Sequence, residues 1–252
     1  MSGHSKWSTI KRKKGAADAK KGKIFTKLVR EITTAARVGG GDPSANPRLR
    51  AAIAAARAGR MPSDNIDRAI KKGTGELEGP PVEETNYEGY GAGGVAFFVE
   101  CQTDNRNRTT AEVRSAFAKA GGNLGAAGSV AWLFQKRGMF AFSASTYSEE
   151  QVMEVAVEAG ADDVFTEGDG IIVYSDAKDF AAVLDHFEQA NFAFETAELT
   201  MIPDTTVAVS GGDVDRVMRL LEKLEDLDDV QKVYANFDIT DADLARLAIE
   251  EG

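Results

Sequence analysis

The sequence predicts an α+β fold in which an N-terminal three-helix basic domain precedes two ferredoxin-like βαββαβ domains, one inserted in the other. Three observations lead there. Charge is divided along the chain: up to Gly75 there are 18 Lys and Arg against 5 Asp and Glu, a net +13, whereas residues 76–252 hold 12 against 35, a net −23. Apolar spacing is helical up to Gly75, and beyond it short β-rich runs alternate with helical ones. Those runs follow the order strand, helix, strand, strand, helix, strand, which is that of the split βαβ unit.

The overall charge of −10 and pI near 4.9 therefore conceal a bipolar molecule. A compact basic module argues for a polyanionic partner more strongly than the whole-chain pI argues against one. At 252 residues the chain is long for one core and comfortable for two or three. The single cysteine, Cys101, excludes an intramolecular disulfide and fits a reducing compartment. No apolar run approaches the ~18 residues of a membrane helix, and the basic N-terminus lacks the apolar core of a secretory signal. These features point to a cytoplasmic protein without a membrane partner.

Residues 2–19 have little apolar content beyond Trp7 and Ile10, so the segment is expected to order only on a partner. Its Lys11-Arg12-Lys13-Lys14 run is a phosphate-binding candidate, with a solvated tail as the alternative. From Lys20 to Arg37, Ile24, Phe25, Leu28, Ile32, Ala35 and Ala36 share one arc of a helix, and Lys20, Lys23, Lys27, Arg30 and Arg37 share another. An outer face so purely cationic repels itself, and a polyanion would relieve that repulsion. Gly39-Gly40-Gly41-Asp42-Pro43 ends this helix. Asn46 caps a second one with Pro47 at its first position and Gly59 at its close. Ser63 is expected to cap a third, with Ile66, Ala69 and Ile70 inward and Lys71, Lys72 and Gly73 at its end.

The acidic, Gly- and Pro-containing run from Gly73 to Asn86 looks like a linker. Strands are expected over Gly94–Thr103 and Ser129–Phe134, flanking a helix from Thr109 to Ala120 opened by a Thr109/Glu112 capping box. An inserted unit follows, with strands near 139–145, 163–166, 171–174 and 192–201 and helices over 148–159 and 178–190. Thr205–Val209, Val214–Leu227 and Val230–Phe237 then complete the host unit as strand, helix and strand. The expected domains are 1–75, 76–134 with 205–252, and 135–204.

Candidate chemistry is concentrated in the basic residues. The expected nucleic-acid-binding set is Lys6, Lys11, Arg12, Lys13, Lys14, Lys20, Lys21, Lys23, Lys27, Arg30, Arg37, Arg48, Arg50, Arg57, Lys71 and Lys72. In the loop 103–109, Arg106 and Arg108 stand beside an electropositive helix N-terminus, so either an external anion or an internal acid such as Asp104 must accompany them. The Gly-rich run 121–128 lacks the Lys-Ser/Thr ending of a phosphate loop and follows a helix rather than a strand, so a helix cap and tight turn is expected. Tyr87 and Tyr90 would either stack on bases or pack a linker onto a sheet. His4 and His186 have no visible catalytic partner, and Cys101 falls on the core face of its strand. Neither a catalytic set, a metal site nor a cofactor is expected.

The blocks MSGHSKWSTIKRKKGAADAKKGKIFTKL, GGGDPSANPRLR, MPSDNIDRAIKKGTGE, YEGYGAGGVAFFVECQTDNRNRT and GGNLGAAGSVAWLF, in order across about residues 1–134, resemble the YebC/PmpR family. Ala92 stands where the family pattern has Pro, and Arg60 where it has Asn. The resemblance implies a three-domain cytoplasmic protein described as a DNA-binding transcriptional regulator. It also implies kinship with mitochondrial translational activators and with bacterial proteins associated with translation of proline-rich stretches on the ribosome. It supplies no catalytic residue. The expected function is thus a non-enzymatic nucleic-acid-binding regulator of gene expression acting on DNA. One alternative is a ribosome-associated RNA-binding translation factor, and another is an enzyme with a phosphate-bearing substrate at the 103–109 loop. Oligomeric state is left open.

Overall fold

The computed structural model describes residues 19–240 together with 242, 243 and 246. The chain forms two compact units. One runs to Trp132 and resumes at Thr205, and the other is Leu133–Asp204.

The first unit opens with three helices, α1 (Ala19–Gly39), α2 (Pro47–Ala58) and α3 (Ser63–Thr74). Their shared core is small-residue rich, with Ile32, Ala35 and Ala36 meeting Leu49, Ala56 and Ala69. Ile24, expected on the same arc, is 41% exposed, because the core begins about two turns later. Helices α1 and α3 approach so closely that a Cβ on Gly73 would lie 2.4 Å from the carbonyl oxygen of Thr33. The Thr33 hydroxyl also donates across to the Ala69 carbonyl at 3.2 Å.

Asn46 organises the entry to α2 as its position before Pro47 predicts. Its side-chain oxygen accepts from Leu49 N at 3.1 Å, and its amide donates to the carbonyls of Ala35 and Gly40, both at 2.8 Å. One buried side chain therefore caps α2 and satisfies carbonyls at the end of α1. At α3 the expectation needs correction. Ser63 is already helical, Pro62 holds the cap position, no side chain caps the helix, and left-handed Gly75 closes it.

Strand β1 (Glu83–Tyr90) pairs antiparallel with β2 (Ala96–Thr103), and α4 (Arg106–Lys119) leads to the short β3 (Asn123–Leu124). The second unit then runs β4 (Phe134–Ser143), α5 (Glu149–Glu158), β5 (Asp163–Glu167), β6 (Gly170–Asp176), α6 (Phe180–Gln189) and β7 (Thr196–Pro203). The first unit resumes with β8 (Val207–Ala208), α7 (Gly212–Glu225), β9 (Val230–Ala235) and β10 (Phe237–Asp238).

The inserted unit has the β-α-β-β-α-β order that the spacing predicts, with antiparallel strands in the order β5-β6-β4-β7. Its core is aromatic: the Phe142 and Phe187 ring centroids lie 4.8 Å apart and those of Phe142 and Phe194 5.3 Å apart. Ser148 and Gln151 form the capping box of α5.

The host sheet also has four antiparallel strands, in the order β3-β1-β2-β9, but the chain reaches it by a different route. Its fourth strand is β1, in the segment read as the end of a linker. The expected strand at Ser129–Phe134 is instead a short 3-10 turn at Ala131–Leu133 leading into β4, and Thr205–Val209 contributes only the two-residue parallel pairing of β8 with β10. Helix α4 begins three residues earlier than expected, capped by Asn105 rather than Thr109. Phe97, Val99 and Cys101 of β2 join Phe117 of α4 and Leu221 of α7 in one core, so both helices cover the same face. Gly89 permits this packing, since a Cβ there would come within 2.7 Å of the Phe117 ring.

Replacing Asn46 by Ala removes the α2 cap and leaves two carbonyls unsatisfied. The expected loss is about 1–3 kcal/mol of unfolding free energy, measured by urea titration. Asn46→Asp keeps the acceptor but not the donors and is expected to fall between wild type and Ala.

Candidate nucleic-acid interface

The basic face of α1 does not stand open to solvent along its length. Helix α7 ends at Glu225 and is followed by Asp226, Asp228 and Asp229. Unpaired carbonyls and acidic side chains at a helix C-terminus attract cations, and α1 supplies them. The Lys23 ammonium lies 3.0 Å from the Asp226 carboxylate, and Lys27 donates to the Glu225 carbonyl at 2.9 Å. Arg30 donates to the Asp228 carbonyl and pairs with Asp229.

Asp229 is 1% exposed and receives more than Arg30. Thr109 Oγ1 donates to it at 2.6 Å, Thr103 Oγ1 at 3.1 Å and Arg108 Nη2 at 2.8 Å. Burial works to raise the Asp229 pKa, but the Thr109 and Arg108 hydrogen bonds and the charges of Arg30 and Arg108 outweigh it, leaving the group below the ordinary carboxylate range. Arg108 reaches Asp104 as well, at 2.9 Å, and that carboxyl is also lowered, chiefly by the Arg108 hydrogen bond. Of the two readings of the 103–109 loop, internal pairing therefore describes Arg108. Arg106 is exposed and has no side-chain partner among the described residues.

Other members of the expected set are occupied too. Arg37 donates to the Val82 carbonyl at 2.6 Å, and Arg50 to the carbonyls of Pro43 and Ser44. Arg48 pairs with Glu31 and Glu84, each at 2.7 Å, and these bonds hold its guanidinium charged more firmly than usual. Glu31 also accepts from Gln102 Nε2 of β2 at 2.6 Å. Lys6, Lys11, Arg12, Lys13 and Lys14 lie outside the described residues, and Lys20 and Lys21 stand in the first turn of α1.

What remains is a set of cations running from the end of α2, through the turn after it, to the last turn of α3. Arg57, Lys71 and Lys72 have no side-chain partner among the described residues, and neither have Arg60 and Arg68, which the expected interface omitted. The signal for them was present, since Arg68 lies one turn before Lys71 and Lys72 on the same outer surface of α3. Arg60 has φ 60, a left-handed conformation that Asn and Gly adopt more readily, so its side chain is held at the corner at a cost in strain. The N-terminal half of α3 presents Asp64 and Asp67 and the C-terminal half Lys71 and Lys72. That polarity complements the helix dipole.

The remaining motifs are internal. The Gly-rich loop does bind an anion, but the anion is the protein's own Glu88, whose carboxylate accepts from the backbone N–H groups of Gly128 and Val130 at 2.7 Å and Ala131 at 2.8 Å. Burial works to raise the Glu88 pKa, and these three bonds bring it to a net lowering. Tyr87 is buried with its hydroxyl 2.8 Å from Thr110 Oγ1, while Tyr90 is partly exposed and donates to the Ser129 carbonyl. Burial, and then the nearby Asp229 charge, push the Cys101 thiol up to about 12, which makes it inert as a nucleophile. His186 lies 3.7 Å from Glu158 on an exposed surface.

Comparison with known proteins gives a consistent match over nearly the whole chain. The family model for the TACO1/YebC N-terminal domain matches residues 5–76, and that for the TACO1/YebC second and third domain matches residues 82–237. A probable transcriptional regulatory protein of Geobacter sulfurreducens is 58% identical over 247 residues, covering 98% of this chain and 100% of that protein. Another protein so described, from Desulforapulum autotrophicum, is 58% identical over 241 residues, covering 96% and 98%. The crystal structure of a conserved hypothetical protein from Aquifex aeolicus superposes with a TM-score of 0.80 at 48% identity, covering 89% of this chain and 93% of that one.

The Asp229 cluster predicts a specific pH response. A carboxyl whose folded pKa lies below its unfolded value of about 4 contributes stability in full above that value and loses it as pH falls through the folded one. Asp229→Asn takes the carboxylate from the largely buried Arg30 and from the half-exposed Arg108, which keeps Asp104, so a loss of about 3 kcal/mol, the low end for a buried pair, is expected at pH 7. The difference from wild type should shrink below pH about 4, as followed by urea unfolding at several pH values. Arg108→Ala should also be clearly destabilising, whereas Arg106→Ala should stay within about 0.5 kcal/mol of wild type.

Proposed function

The chain belongs to the TACO1/YebC family, and from that premise we propose that it is a non-enzymatic nucleic-acid-binding regulator of gene expression, a DNA-binding transcriptional regulator acting in the cytoplasm. The observation that carries this reading is the distribution of unpaired cations. Lys23, Lys27, Arg30, Arg37 and Arg48 are all engaged within the protein. Arg57, Arg60, Arg68, Lys71 and Lys72 have no side-chain partner among the described residues, and they lie along the end of α2, the turn after it and α3. Cations without a carboxylate partner suit a phosphate backbone, and the Lys11–Lys14 run, outside the described residues, adds to the positive charge of the same segment of sequence. The description of two relatives as probable transcriptional regulatory proteins supports the regulatory role.

The same helices support backbone contact more than base reading. A recognition helix meets base edges with its N-terminal residues, and in α3 these include Asp64 and Asp67, which an anionic duplex repels. The second reading, an RNA-binding translation factor on the ribosome, draws on this feature, since positioning on phosphates does not discriminate DNA from RNA. The enzyme reading is weaker for it, because of the two cations at the 103–109 loop Arg108 already meets two carboxylates, which leaves Arg106 alone for a phosphate. No helix among the described residues is long and apolar enough to cross a membrane.

Changing Arg57, Lys71 and Lys72 to Ala and Arg60 to Gly, which tolerates its positive φ, should reduce duplex affinity by about 100-fold or more at 100 mM salt. The slope of log K against log salt should become shallower by about 3–4. Melting temperature should change little, and unchanged affinity would refute the assignment of this surface. Competition of any candidate promoter fragment against unrelated duplex at physiological salt should show discrimination below about 10³-fold, less than a dedicated sequence-specific regulator attains.

A further inference from the structure

The acidic part of the chain has few cations, and their placement is uneven. Residues 76–252 hold 12 Lys and Arg among 35 Asp and Glu. With acids in nearly threefold excess, a basic side chain there is expected to find a carboxylate. Arg108, Arg137 and Arg246 do. On the helical layer of the host sheet the pattern breaks. Lys119 of α4 and Arg219 and Lys223 of α7 are exposed and have no side-chain partner among the described residues. Arg216, one turn before Arg219, has only an exposed contact with Asp213 at 3.3 Å.

Arg216, Arg219 and Lys223 recur at i, i+3 and i+7, and the buried Val217, Leu220, Leu221 and Leu224 occupy the opposite side of the same helix. The three cations thus form a stripe spanning about 10 Å of α7 at ~1.5 Å per residue. Lys119 and Lys223 both line a groove of about 340 Å³ between α4 and the end of α7, together with Ala116 and Leu227. Glu112 lines the groove as well, and Asp215 on the flank of α7 is neutralised by Arg246 at 2.8 Å.

We propose that this outer face of α4 and α7 is a second contact surface for a nucleic-acid phosphate backbone, separate from the α2–α3 surface. The inference rests on the nucleic-acid reading above and extends it to the acidic part of the chain. Charge complementarity sets the class of partner as anionic. The absence of an apolar anchor selects among anionic partners: among the described residues no large exposed hydrophobic side chain lies on α4 or α7. A stable protein interface depends on buried aromatic or aliphatic anchors, whereas backbone binding needs only cations that release counterions.

The test uses the full-length chain with Lys119, Arg219 and Lys223 changed to Ala, alongside the α2–α3 variant. Binding of a 30-base-pair duplex of arbitrary sequence, of a single-stranded RNA of equal length and of poly-glutamate is measured across a salt series. The proposal expects the slope of log K against log salt to become shallower by about 2–3 on the duplex, with affinity lower by about 10- to 100-fold at 100 mM. Circular dichroism and melting temperature should match wild type. Affinity and slope equal to wild type for both polymers would overturn the proposal, as would loss of poly-glutamate binding alone, which would identify an acidic protein segment as the partner. Failure of the α2–α3 reading is distinguishable, because that variant would then retain full affinity whatever the α4–α7 variant does.

Discussion

The buried carboxylate of Asp229 is the interaction on which the arrangement of the first unit depends. It sits between Arg30 of the helical head and Arg108, Thr103 and Thr109 of the sheet domain, so segments some 200 residues apart in sequence converge on two oxygen atoms. Burying such a charge is unfavourable unless hydrogen bonds and opposite charges surround it, and here both do. Lys23 and Lys27 extend the contact along the end of α7, and Arg48 with Glu31 and Glu84 braces the head at another point. The head is consequently held to the sheet domain largely by directional polar contacts, which fix an orientation more closely than apolar burial alone would.

That clamp also determines which charges are left for a partner. A helical wheel of α1 shows a cationic face but not that an acidic turn beyond α7 will meet it. The pairing is a tertiary property, and neither composition nor periodicity carries it. The useful sequence signal was the net excess of +13 in the first 75 residues. That figure already counts the five acids of the segment, and the few that the sheet domain supplies neutralise only part of it, so a surplus had to emerge somewhere. It emerges along the end of α2, α3 and the turn between them, where Arg60 keeps a left-handed backbone that a bulky side chain adopts only at a cost.

Local chemistry was legible where one side chain decides an element. Asn46 before Pro47 caps its helix as its position predicts, because that hydrogen bond is made within a few residues. The aromatic alternation of 139–145 gave a core strand for the same reason. Strand β1 was not legible, since EETNYEGY has three acids, an Asn and a glycine beside only one β-branched residue and two tyrosines, and β2 offers it a complete antiparallel partner. Thr109 illustrates the limit of a local motif. Its capping-box spacing is present, yet Asn105 takes the cap and the Thr109 hydroxyl turns inward to Asp229. The Gly-rich loop is similar, for its backbone N–H groups close on Glu88, a partner some 40 residues earlier.

The lysines of the head thus divide into those held by the protein and those available to a polymer. Amine-reactive footprinting of the full chain, read by mass spectrometry with and without saturating duplex or RNA, tests this most directly. The account predicts that Lys71 and Lys72 label readily in the free protein and become protected on binding, while Lys27 labels slowly in both states because its ammonium is bonded to the Glu225 carbonyl. Unchanged labelling of Lys71 and Lys72 at saturating polymer, or polymer-induced changes confined to Lys23 and Lys27, would contradict it.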